Sequence, residues 1–172
     1  KDAYFDITME YAKADEQDLL IKITVENHSK IAAPITVLPT VWFRNTWCWG
    51  YENYKHKPSL NGIGRSHIEI NHQLVGHFNL YAENVDEFLF CENETNFEKL
   101  YNSPNLSHYT KDGINDYIVN QKTEAVNPNH IGTKASAKYT ETIPAKSKKV
   151  FKLRFTNQNP EDAFADFDAL FE

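Results

Sequence analysis

Alternation with a period of two governs the opening of this chain. Phe5, Ile7, Met9 and Tyr11 are apolar, and Asp6, Thr8 and Glu10 between them are polar. Successive side chains of a β-strand point to opposite faces, so the pattern predicts a strand with one wet face. After the polar run at 15–18, Ile21, Ile23 and Val25 alternate with Lys22, Thr24 and Glu26. Two such strands around a polar turn read as a hairpin. Further strands are expected at 35–43, 66–71, 77–82, 87–91, 117–119, 136–143 and 150–156. Pro39 places the third strand at an edge or bulge, because proline lacks the N–H that a ladder needs.

Two stretches, 44–65 and 92–115, have no clear period. Irregular segments of that length inside a small domain tend to carry function. The end of the chain changes character. Asn159 can cap a helix, Pro160 suits its first position, and Glu161 and Asp162 suit the positive end of its dipole. Phe164, Phe167 and Phe171, with Leu170 beside them, fall on one helical face. The expectation is all-β: an antiparallel β-sandwich over residues 1–158 with a short C-terminal helix over 159–172.

The 172 residues suffice for one domain with a real core. A formal net charge of −6 with no basic cluster excludes nucleic acid as an expected partner. No apolar run is long enough for a membrane helix. The two cysteines, Cys48 and Cys91, are expected as free thiols. Three glycosylation sequons begin at Asn27, Asn93 and Asn105, and an Asn-rich chain produces such matches by chance. His67, His72 and His77 are spaced by five, which suits neither strand nor helix ligation. No metal or cofactor is expected. The chain opens without Met, so a processed product or fragment is expected, and the expected compartment is the cytoplasm.

All three tryptophans, Trp42, Trp47 and Trp49, lie within eight positions, together with Arg44 and Asn45. Indole faces stack on sugar rings and Arg or Asn donates to hydroxyls, but clustered Trp also packs cores and domain interfaces. Glu92, Asn93 and Glu94 form a second polar cluster. On a strand the two carboxylates would point to opposite faces, whereas glycoside hydrolysis needs a pair flanking the scissile bond. A hydrogen-bonded loop scaffold is therefore the plainer reading. Lys111 and Asp112 precede Gly113 in a strong turn signal. These ten residues are the candidates for contact with substrate or with a neighbouring domain. Because long loops emerge at the edges or ends of sheets, the three segments carrying them, 42–50, 92–96 and 111–115, are expected at one end or face of the sandwich.

The runs FDITMEYAKA (5–14), DLLIKITVEN (18–27), LPTVWFRNTWCWG (38–50), FCENETN (90–96), KDGINDYIV (111–119), AVNP (125–128) and GTKASAKY (132–139) appear in that order. Together they resemble large bacterial proteins assigned to glycoside hydrolase family 63, with Cys48 in place of an expected Ser and Cys91 in place of Thr. The resemblance implies a β super-sandwich coupled to an (α/α)6 barrel in an inverting α-glucosidase or related enzyme. The barrel of that family carries the general acid and base, so no residue here inherits either role. The resemblance therefore implies a non-catalytic sandwich domain whose partner is the barrel of the same parent chain. A free-standing module binding oligosaccharide through its tryptophans is the alternative, and a mutarotase or epimerase a more distant one.

Overall fold

The computed structural model describes residues 3–51 and 56–171. Its strands are β1 (Phe5–Asp15), β2 (Asp18–Asn27), β3 (Ala33–Val37), β4 (Thr40–Trp42), β5 (Ser59–Ile63), β6 (His67–His72), β7 (Gly76–Ala82), β8 (Glu87–Cys91), β9 (Ile131–Gly132), β10 (Lys134–Ile143) and β11 (Lys148–Thr156). Two short helices, α1 (Phe97–Tyr101) and α2 (Gly113–Asn120), lie between β8 and β9.

The fold is an all-β antiparallel sandwich. Seven strands form one sheet in the order β1-β2-β11-β7-β6-β5-β9, and β10 organises the other, with β3 and β4 on one side and β8 on its other side. The apolar residues predicted on the second and later strands meet between the sheets. Ile23, Val25, Leu60, Ile68, Leu80, Phe90, Phe151 and Leu153 are all buried there. Ile7, Met9 and Tyr11 of β1 instead stay exposed, so that strand is wet on both faces rather than one. On β10, Ala135, Ser136 and Ala137 are buried in succession, because both faces of the strand are covered. A second cluster of Leu89, Cys91, Ile114 and Val126 covers the outer side of β8 through α2.

Three expectations are corrected. The strand expected at 35–43 is broken into β3 and β4 at Leu38 and Pro39. The Pro39 carbonyl accepts from the Ala137 N–H at 3.0 Å and the Ser136 hydroxyl at 3.1 Å, so β10 still spans the break. The strand expected at 117–119 belongs to α2. Ile114, Tyr117 and Ile118 stand at i, i+3 and i+4, and that helical spacing places them on the β8 side cluster.

The third correction concerns the C-terminus. The helix there is one 3-10 turn, Asp168–Phe171, preceded by turns rather than by an amphipathic α-helix from 159. The Ala163 carbonyl accepts from Arg154 Nη1 at 3.1 Å, and the Phe167 N–H bonds to Phe164 O, three residues back. Side-chain competition for that carbonyl favours the tighter turn. Phe167 is fully buried, its ring tilted against those of Phe164 and Phe171 with Lys152 over it, so the phenylalanine face is covered at its centre.

Candidate functional site

The chain leaves β4 at Trp42 and makes a 3-10 turn over Trp47–Trp49 that Gly50 closes in the left-handed region. Residues 92–96 leave β8, and Lys111 and Asp112 lead into α2. The three segments converge. The Asn45 side chain donates to Asn93 O at 3.2 Å, and the Asn93 amide donates to Phe43 O at 2.7 Å. Lys111 N donates to Glu94 O at 2.9 Å, and Lys111 Nζ to the Thr95 hydroxyl at 3.2 Å.

Two residues outside the ten candidates hold this junction. Thr133 donates its N–H to Cys91 O, accepts from Phe43 N at its carbonyl, accepts from Asn93 N at its hydroxyl (2.8 Å) and donates that hydroxyl to Glu92 Oε2 (2.6 Å). Lys57 lies 3.0 Å from Glu92 Oε2 and 3.1 Å from Glu94 Oε1. Glu92 and Glu94 therefore meet on one ammonium rather than on opposite faces. The strand ends at Cys91, so period-two geometry no longer applies to them. Lys57 was hidden in an irregular stretch. Nothing in the sequence marks Thr133 itself; the glycine before it allows the close backbone approach to Cys91.

Trp47 is half-buried and donates Nε1 to Glu94 Oε1 at 3.1 Å. Trp42 and Trp49 are 59% and 47% exposed, far above the value for a core indole. The Arg44 guanidinium stands 4.8 Å over the Trp49 ring, and Tyr51 meets that ring edge-on. The outer surface is thus aromatic and cationic, over a layer of partnered carboxylates. Beneath it Glu94 is 7% exposed, and its Oε2 has no hydrogen-bond partner.

Electrostatics fit a scaffold. Partial burial pulls Lys57 down, but its bonds to Glu92 and Glu94 outweigh this and its pKa is raised. Burial pushes the Cys91 thiol up to about 11, so it stays protonated at neutral pH. Cys48 is exposed, and both thiols are free. Asp112 is partly desolvated, which raises its pKa, yet hydrogen bonds from Thr110, Lys99 and Asn96 bring it down to about 2.

A carboxylate depressed in the folded state stabilises above its unfolded pKa and loses that contribution as pH falls. Asp112→Asn is therefore expected to lower stability by a constant amount above its ordinary pKa of 3.8, with the gap to the parent closing as the pH falls towards about 2. Urea titrations across that range check this. A gap that does not change with pH would remove Asp112 as the local anchor.

The remaining candidates are accounted for by local structure. The His72 Nδ1 caps the turn after β6, His77 bonds Asn71, and His67 packs on Tyr81. Among the described residues no cluster could hold a metal ion. The side-chain nitrogens of Asn27, Asn93 and Asn105 are all engaged in hydrogen bonds. Among the described residues, no helix is long and apolar enough to cross a membrane.

No protein-family profile matches the chain. It is similar to a protein of Saccharomyces cerevisiae described as "Uncharacterized protein YMR196W", 33% identical over 189 residues. The match covers 94% of this chain and 17% of the yeast protein, so the chain spans about a sixth of that relative's length.

Proposed function

We propose that this chain is a non-catalytic β-sandwich domain of a glycoside hydrolase family 63-like α-glucosidase, supporting the catalytic (α/α)6 barrel and shaping its substrate site. The observation that carries the reading is the convergence of residues 42–50, 92–96 and 111–112 on one surface. There Trp42, Arg44 and Trp49 stand exposed beside a partly buried ion-pair layer in which Glu94 is the buried member. Mixed aromatic and charged surfaces of this kind suit inter-domain contacts, where each group finds a partner across the boundary. Glu92 and Glu94 share one lysine, an arrangement suited to holding loops rather than to proton transfer across a substrate. The length of the yeast relative is in keeping with a parent that has further domains.

Hydroxyl-radical footprinting tests the proposal. Trp42 and Trp49 should oxidise readily in the isolated chain and be protected in the longer parent protein, while the isolated chain turns over no α-glucoside. Equal oxidation in both forms, or turnover by the isolated chain, would overturn it.

A carbohydrate-binding module is the second reading, favoured by the two exposed indoles. Arg44 already occupies one face of Trp49, so a sugar stacking there must displace it or use the other face. Tryptophan fluorescence titrated with gluco- and manno-oligosaccharides separates the readings. A saturable change supports the module, and a flat response supports the domain.

A further inference from the structure

The edge of the seven-stranded sheet farthest from the tryptophan surface is β1, and its geometry points to a second copy of this chain as its partner. We propose that two copies pair β1 against β1, antiparallel, about a two-fold axis through Met9. This rests on nothing in the glycosidase reading, since the tryptophan surface adjoins β9 at the opposite edge.

Three observations carry it. First, β1 is an eleven-residue strand without proline whose outer edge is unpaired among the described residues. Natural proteins usually shorten, charge or cover such edges, because their free N–H and C=O groups accept another strand. Second, the parity of the ladder is known. Tyr4 O accepts from His28 N, so the even residues of β1 point their backbone groups towards β2. The odd residues Phe5, Ile7, Met9, Tyr11 and Lys13 therefore turn theirs to the open edge. Their side chains lie on the face that β2 continues inward with Ile21, Ile23 and Val25. Ile7, Met9 and Tyr11 are 52%, 52% and 59% exposed.

Third, the strand is complementary to itself. The regular ladder runs from Phe5 to Lys13 before a bulge, and its midpoint is Met9. A two-fold there opposes Met9 to Met9, Ile7 to Tyr11 and Phe5 to Lys13. On the other face Thr8 opposes Glu10 and Asp6 opposes Ala12, so no carboxylate faces another. A two-fold at Thr8 would set Asp6 against Glu10, and one at Glu10 would oppose two glutamates, both destabilising. The Met9 register forms about ten backbone hydrogen bonds. A single strand pair buries little surface, so the dimer is of the weak, concentration-dependent kind.

Analytical ultracentrifugation of the chain at about 100 μM should show a dimer that dilutes to monomer in the low micromolar range. Met9→Lys puts two ammonium groups face to face and should weaken dimerisation at least about tenfold without unfolding an exposed edge. Register is read by cross-linking in a Cys48→Ser background. Met9→Cys should form an intermolecular disulfide under mild oxidation, because directly opposed residues have Cα atoms about 5.5 Å apart. Ile7→Cys alone should not, but should cross-link when mixed with Tyr11→Cys. A monomer at 100 μM, a dimer indifferent to Met9→Lys, or equal cross-linking of Met9→Cys and Ile7→Cys alone would overturn the proposal.

Discussion

Replacing Arg154 by Ala should cost the fold roughly 3–5 kcal/mol, the penalty for stranding a buried charge. Arg154 stands on β11 and Asp18 at the start of β2, with side chains 9% and 4% exposed. The guanidinium meets the Asp18 carboxylate with two bonds, of 2.8 Å through Nε and 2.5 Å through Nη2. Its remaining nitrogen holds Ala163 O and, at 2.8 Å, Asp166 Oδ1. One side chain thus ties the hairpin to the C-terminal segment that seals Phe167 and Leu20 on the outer face of the sheet. Removing it leaves Asp18 buried with its charge unmet and frees the segment to lift. For a chain of this size the expected drop in melting temperature is on the order of 10 °C.

A second variant separates the charge from the packing. Asp18→Leu combined with Arg154→Met exchanges the pair for apolar volume and should recover much of the loss, since the penalty lies in the unpaired ion rather than in the missing attraction. Thermal and urea unfolding of the three proteins decides it. An Arg154→Ala protein within about 1 kcal/mol of the parent would show that the pair is not the anchor.

That anchor was not legible in the sequence. Asp18 sits in a polar turn and Arg154 on an outward position of a strand, and 136 positions separate them. Only the pairing of β2 with β11 brings them together. The strands themselves were legible where one face is wet, as in β2, because burial on one side imposes the period of two. Strand β1 alternates in the same way although Ile7, Met9 and Tyr11 stay exposed. The pattern failed where it ended within a few residues. Tyr117 to Val119 reads as well for a strand as for a turn of helix, and burial of Ile114 behind it decided the matter. The meeting of the tryptophan, glutamate and lysine segments followed from loop length and composition. Its hub did not, because Thr133 acts through both backbone and hydroxyl, and threonine is common in strands. Lys57 was equally silent, since it is one of two lysines in a long irregular stretch and nothing in their spacing marks it.

The other large effect is expected at Gly132, and it tests how rigidly that hub is built. A Cβ added at this position would lie 2.3 Å from Cys91 O and 3.0 Å from Cys91 C, backbone atoms that cannot swing aside as a side chain can. Gly132→Ala must therefore push β9 away from the end of β8. The next residue is Thr133, whose N–H bonds to that same Cys91 carbonyl and whose hydroxyl links Asn93 and Glu92. The displacement thus passes directly into the layer beneath the tryptophans. Overpacking of this kind costs about 2–4 kcal/mol. Trp47 should also report it, because Glu94 holds its Nε1 from the segment that Thr133 positions. Near-UV circular dichroism should lose tryptophan fine structure even where the far-UV strand signal persists. Gly64→Ala is the control: its φ of +55° disfavours a side chain but nothing lies within 4 Å, so its cost should be confined to about 1–2 kcal/mol of backbone strain. It should leave the tryptophan signal unchanged. If the two variants lose equal stability and neither alters that signal, the junction is not organised through Gly132 and Thr133. The loops would then be held by the Lys57 ion pairs and the direct Asn45–Asn93, Asn93–Phe43 and Lys111–Glu94 bonds.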